Sequence, residues 1–192
     1  MSYPLRRLLL VLLAVVPTFA ACATTRDLET LFLPDRERWT LVNGQDDGHQ
    51  TLAEYVPAGQ TLAGWREMIT IQALDDRRPV EPPTATMSKL RDIMKQRGGE
   101  LEWKVIEEDA SSVLYEWTLR AAPGVEDQGE IARLVQGKDA LHRAAYSYKT
   151  PPLAAERRAE RTEILRNARV VKGEKERLAA MDEFFPGWQN AR

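Results

Sequence analysis

The chain has 192 residues with 27 basic and 29 acidic side chains, and its net charge of −2 argues against nucleic acid as a partner. One cysteine and two histidines leave no cysteine pair for a disulfide and no local spacing for a zinc site. The sequence contains no P-loop, no G-x-G-x-x-G and no G-x-S-x-G motif. We therefore predict a protein that is not an enzyme and has no cofactor.

The first 21 residues have the pattern of an export signal. Arg6 and Arg7 precede an apolar run over residues 8–16, and small residues then lead to the single cysteine, Cys22. The apolar run is too short to cross a bilayer, because a spanning helix needs about 20 apolar residues. We therefore predict a cleaved signal peptide over residues 1–21.

The four residues around the cleavage point, Phe19-Ala20-Ala21-Cys22, resemble a bacterial lipobox, with Phe19 in place of the usual leucine. The resemblance to lipoproteins implies a diacylglyceryl group on the Cys22 thiol, an acylated amino terminus such as palmitate, and attachment to a membrane. Ala23, in place of aspartate, resembles the sorting pattern of the cell outer membrane, with the domain facing the periplasm. The alternative is ordinary secretion as a soluble periplasmic protein.

The mature chain is expected to form one domain, because its length normally makes a single hydrophobic core. Without Arg6 and Arg7, 25 basic side chains remain against 29 acidic ones, a net charge of −4. We divide the mature chain into a lipidated amino terminus and tether over 22–34, a globular domain over 35–171, and a C-terminal helical tail over 172–192.

Hydrophobic periodicity predicts the elements of this domain in chain order. The first half is predicted to contain two strands, a short helix, a strand and a longer helix, over residues 39–43, 49–56, 61–68, 69–74 and 84–97. The second half is predicted to contain four consecutive strands and a helix, over residues 101–108, 112–120, 129–136, 140–149 and 153–170. Apolar and polar residues alternate along these strands, as in Leu101, Trp103 and Val105, which is typical of antiparallel pairing.

These elements predict an α+β fold with a single antiparallel sheet of about six to seven strands and helices packed on it. Their order over about residues 35–170 resembles the PsbP-like α/β/α sandwich. That family includes non-enzymatic accessory and binding proteins, so the resemblance favours a binding role. A cystatin-like or other antiparallel α+β fold fits the same order.

Five aromatic side chains on predicted strands and on the short helix form a candidate ligand cleft: Trp39, Trp65, Trp103, Tyr115 and Trp117. Aromatic residues also suit the core of a sheet, so burial is the simpler interpretation of the same set.

The acidic groups have simpler interpretations than metal binding. Asp46 and Asp47 lie beside His49, but between Gly44 and Gly48 they are typical of a hairpin turn. The acidic run 107–109 and the charged residues of the helix over 153–170, Arg161 among them, are expected to be solvated.

The sequence thus predicts a lipid-anchored protein of the cell envelope with a non-catalytic binding or accessory domain and an envelope protein as its partner. The alternative is a domain that binds a small apolar molecule or a lipid in the aromatic cleft. A hydrolytic enzyme is the third hypothesis.

Overall fold

The computed structural model describes residues 29–35, 37–47, 50–75 and 81–184. The predicted signal peptide, the lipobox with Cys22, His49 and residues 185–192 of the predicted tail lie outside the described residues. Within the described ranges, no helix is both long and apolar enough to cross a membrane.

The core of the domain is one antiparallel sheet of seven strands in the order β2-β3-β4-β8-β7-β6-β5. Its strands are β2 (Trp39–Asp46), β3 (Gln50–Pro57), β4 (Glu67–Asp75), β5 (Glu100–Glu108), β6 (Ser112–Arg120), β7 (Gln128–Gln136) and β8 (Ala140–Lys149). The antiparallel sheet and the four consecutive strands of the second half are confirmed. Their alternating pattern extends over nine or ten residues, which makes it a strong signal.

Helix α1 (Pro83–Gln96) covers one face of the sheet, which we call the α1 face. Its apolar stripe packs on the core through Met87, Leu90 and Met94. The helix predicted over 84–97 is therefore confirmed. It ends before Gly99, where a Cβ atom would lie 2.4 Å from the carbonyl oxygen of Arg120, so only glycine allows this close approach to β6.

The opposite face, the α2 face, is covered by α2 (Ala155–Arg166) together with a small sheet of β1 (Glu29–Phe32) and β9 (Arg169–Lys172). Helix α3 (Gly173–Phe184) packs on this small sheet, with Ala180 buried beside Phe32 and Val171. The domain therefore has helical cover on both faces of its sheet.

Strand β1 lies within the segment that we predicted to be a tether. Leu31 and Phe32 are only 3 % and 9 % exposed, so the end of that segment belongs to the fold. A four-residue strand has no readable period, and its partner β9 follows more than 130 residues later. The first residues of the predicted tail likewise belong to the domain, as part of α3.

Two predicted helix boundaries are wrong. The predicted helix over 61–68 is a single 3-10 turn at Leu62–Gly64, because the strand β4 already begins at Glu67, which pairs with Tyr148 of β8. The helix predicted over 153–170 ends at Arg166. There the Arg133 guanidinium donates hydrogen bonds to the last helical carbonyls, and the following residues pair with β1.

Strand β1 is held to the large sheet by the carboxylate of Glu29. It accepts hydrogen bonds from the backbone N–H groups of Lys138 and Asp139, at 3.1 and 2.8 Å, in the turn between β7 and β8. His142, only 1 % exposed, places its Nε2 atom 3.4 Å from the same carboxylate. Burial lowers the pKa of His142 and outweighs the opposing effect of Glu29.

The substitution Leu31→Ala is expected to lower the free energy of unfolding by about 2–5 kcal/mol, because it leaves a cavity in the core under β1. The matched control is Leu62→Ala, whose side chain is 44 % exposed and whose loss should change the stability by less than about 0.5 kcal/mol. Chemical denaturation of both variants measures this difference. Equal effects would show that β1 is a dispensable tether.

His142 should make the folded state less stable as the pH falls below about 6.5, the ordinary histidine value, because the unfolded chain then binds a proton that the buried imidazole does not. The free energy of unfolding should fall by up to about 1.4 kcal/mol per pH unit until the folded-state pKa is reached. Denaturation at several pH values from about 5.5 to about 7.5, on both sides of the ordinary histidine pKa, measures this slope. His142→Gln should flatten the slope, and an unchanged slope in His142→Gln would contradict the assignment.

Candidate functional site

A groove of about 310 Å³ lies between the strands β5 and β6 and the segment that leads into α2. It opens on the α2 face, at the end of the sheet where β6 and β8 finish. Its lining combines charged, aromatic and apolar side chains: Glu102, Trp103, Lys104, Glu116, Trp117, Thr118, Arg120, Tyr148, Pro152, Leu153 and Arg158.

The charges of the groove are mostly paired. Arg158 Nε lies 2.7 and 2.8 Å from the two carboxylate oxygens of Glu116 and donates to them, and this contact raises the pKa of the Arg158 guanidinium. Glu102 lies 3.9 Å from the guanidinium of Arg120 and accepts a hydrogen bond from a threonine hydroxyl. Lys104 forms no ion pair with any described residue, so the groove carries one positive charge in excess.

Tyr148 belongs to the floor of the groove and owes its position to a glycine. Tyr148 pairs with Gly129 of β7, and a Cβ atom on Gly129 would lie 2.5 Å from the Cζ and Oη atoms of the tyrosine. Only glycine therefore lets the ring lie across β7 toward β6. Burial raises the pKa of Tyr148 to about 12, so its hydroxyl remains protonated and can donate a hydrogen bond.

Two non-glycine residues with positive φ border the groove. Ala121, directly after β6, has φ 52°, and Thr150, directly after β8, has φ 64°. Asp127 binds both of these residues. Its carboxylate accepts a hydrogen bond from the Ala121 N–H at 2.9 Å, and its backbone carbonyl accepts one from the Thr150 N–H at 3.2 Å. Such conformations cost about 1–3 kcal/mol each and cluster at functional sites. Asp127 therefore fixes the two chain segments that shape this end of the domain.

The five aromatic residues of the predicted cleft do not line one cleft. Trp103 stacks on Tyr115 on the α1 face, with ring centroids 5.0 Å apart, while Trp39 lies on the α2 face against Tyr146. Trp65 precedes β4, with the Lys149 ammonium 4.8 Å from its ring.

Burial separates the same residues further. Tyr115 and Trp117 are 0 % and 8 % exposed, so they are part of the core. Trp117 Nε1 donates to Glu130 at 3.1 Å, and Trp117 and Trp103 also border the groove.

Arg161 was expected on a solvated helix face and is fully buried, which corrects that prediction. Its guanidinium carbon lies 5.4 and 5.1 Å from the ring centroids of Trp39 and Tyr146, and its nitrogens lie 2.5 Å from Asp35 and 2.6 Å from Glu37. The charge is buried because two carboxylates from the chain before β2 meet it there. The spacing of residues within α2 does not predict that Arg161 has these two carboxylate partners.

Two of the acidic residues that the sequence singled out, Asp47 and Asp109, stabilise turns. The Asp47 carboxylate accepts from the Gln50 N–H at 2.8 Å. Asp109 accepts from the backbone N–H groups of Ser111 and Ser112 at 2.7 and 2.8 Å, and these bonds lower its pKa to about 2. The described residues contain no group of three or more histidine, cysteine, aspartate or glutamate side chains that could hold a metal ion.

No protein-family model matches the sequence, and no curated protein matches it. Solved structures that resemble the fold include a point mutant of the protein Mog1, with 13 % identity over 67 % of this chain and 86 % of the other, at a TM-score of 0.36. The Ran-binding protein Mog1p of Saccharomyces cerevisiae has 11 % identity over 66 % of this chain and 84 % of the other, also at 0.36. At this distance neither structure assigns a family or a partner to the chain.

The substitution Gly129→Ala should displace the Tyr148 ring from the floor of the groove and lower the free energy of unfolding by about 1–3 kcal/mol through overpacking. Gly44→Ala is the matched control, because it lies in a strand with no atom within 4 Å of its added Cβ. Denaturation measures the stability of both variants, and the near-ultraviolet spectrum reports the surroundings of the tyrosine. A Gly129→Ala protein that behaves like Gly44→Ala would contradict this account of the groove.

Proposed function

We propose that this protein is a lipid-anchored accessory protein of the cell outer membrane, whose periplasm-facing domain binds an envelope protein without catalysing a reaction. The anchor is the lipid on Cys22 that the lipobox Phe19-Ala20-Ala21-Cys22 implies. The binding site is the groove between β5, β6 and the start of α2.

The charge of the groove is the observation that carries the binding role. Three basic side chains face two acidic ones in its lining, and each acidic side chain already has an arginine beside it. Lys104 remains as the charge of the lining that has no ion-pair partner among the described residues, with the protonated Tyr148 hydroxyl as a donor at the floor. This arrangement fits an acidic side chain of an extended protein segment, since charge complementarity selects and orients a partner.

The alternative function, a cleft for a small apolar molecule or a lipid, has less support. Its aromatic residues lie on both faces of the sheet, and two of them are in the core. Five of the eleven residues that line the groove carry a charge, whereas sites for small molecules combine a few polar groups with mainly apolar and aromatic side chains.

We also propose that the domain is a sandwich of the PsbP-like kind. Support comes from the order of its elements and from the helical cover on both faces of one antiparallel sheet. An experimental structure that superposes the sheet and both helical layers on members of that family would test this proposal.

The anchor is tested by labelling cells with radioactive palmitate. The wild-type protein should take up label and float with outer-membrane vesicles, whereas Cys22→Ser should lose both properties. By resemblance to the lipoprotein sorting pattern, Ala23→Asp should keep the label and move the protein to the inner membrane. Persistent label in Cys22→Ser would contradict lipidation at this residue.

The groove is tested with a photo-crosslinking amino acid at position 118, in the lining of the groove, in the native host. We expect one specific envelope protein to be captured, and Lys104→Glu should reduce its capture at least tenfold. Lys175→Glu makes the same charge change on the exposed side of α3 and should leave the capture unchanged. Capture that survives Lys104→Glu, or a bound small molecule that shifts the tryptophan fluorescence, would contradict the proposed role.

A further inference from the structure

We infer that the domain stands on the membrane with the β7–β8 turn toward the bilayer and the groove at its far end. The partner in the groove therefore comes from the periplasmic side, and a lipid of the anchoring membrane is excluded as its occupant. This inference rests on the proposed lipid at Cys22 and adds the direction in which the site faces.

The point where the chain enters the domain is fixed. Glu29 is the first residue of β1, and its backbone pairs with Lys172 of β9. Its carboxylate, which is 8 % exposed, binds the N–H groups of Lys138 and Asp139 at the β7–β8 turn. The anchored end of the domain is therefore the end that carries this turn.

The connection from the lipid to this point is short. Six residues, 23–28, separate Cys22 from Glu29. Seven peptide steps span at most about 25 Å when fully extended.

The groove lies as far from this point as the fully extended connection can reach. Strand β8 begins at Ala140, next to the anchored turn, and places Tyr148 in the groove. Eight residues of a strand span about 26 Å, at about 3.3 Å per residue. Strand β6 runs in the same way from Ser112 at the anchored end to Arg120 at the groove. An inverted domain with its groove on the bilayer would need a connection of about 26 Å, which is the full length of the extended chain.

The orientation is tested by energy transfer from the domain to the membrane. Because Cys22 carries the lipid, a cysteine introduced by Lys138→Cys or Ala58→Cys is the only free thiol of the mature protein. Lys138 is exposed at the anchored turn, and Ala58 is exposed in the β3–β4 connection at the groove end. Each variant is purified in its lipidated form, labelled with a donor dye, and reconstituted into vesicles of phosphatidylethanolamine and phosphatidylglycerol that carry an acceptor on their headgroups.

Transfer should be at least about twofold more efficient from position 138, given a difference in height of about 26 Å. A Gly-Ser insertion of about 20 residues between residues 25 and 26 should remove most of that difference, because the longer connection lets the domain turn over. Equal transfer with the native connection, or stronger transfer from position 58, would overturn the orientation. Absence of the lipid on Cys22 would give another result, because the protein would then not float with the vesicles and Cys22 would react with the dye.

Discussion

The central strands β6, β7 and β8 bury side chains on both of their faces, so each face needs its own cover. On β6, Val113, Tyr115, Trp117 and Leu119 point to the α1 face, and Leu114 points to the α2 face. Helix α1 covers the first face, while α2 and the β1–β9 pair cover the second. This requirement explains why the last residues of the predicted tether and the first residues of the predicted tail fold into the domain.

Two arginine side chains, the fully buried Arg161 and the half-buried Arg133, hold the α2 layer in place. Arg161 fills the space between Trp39 and Tyr146 and meets Asp35 and Glu37. Arg133 binds the carbonyls at the end of α2. A buried charge without its partner costs about 3–5 kcal/mol, so these contacts define where the helix lies even where they add little net stability.

The groove forms where this cover begins. Helix α2 starts beyond β8, and the chain between them passes over the ends of β5 and β6 and leaves a hollow there. The same architecture places Glu29, the first residue of β1, at the other end of the strands. If Cys22 carries the proposed lipid, a groove at the opposite end of the strands is suited to hold a partner away from the membrane.

Local patterns determined the elements whose residues repeat over eight or more positions. The alternation in β5 to β8 and the apolar stripe of α1 predicted those elements and the antiparallel sheet, because each strand and helix of this length carries its own period. The leader and Cys22 are likewise local patterns, and lipidation of Cys22 stays a prediction. The tertiary structure alone decided the β1–β9 pair, the burial of Arg161, and the division of Trp39 and Trp103 between two faces. Each of these depends on partners distant in the chain, and the alternation within one strand does not reveal which face of the sheet will meet which layer. The groove belongs to this second group, because it depends on Gly129 admitting the ring of Tyr148 from the neighbouring strand.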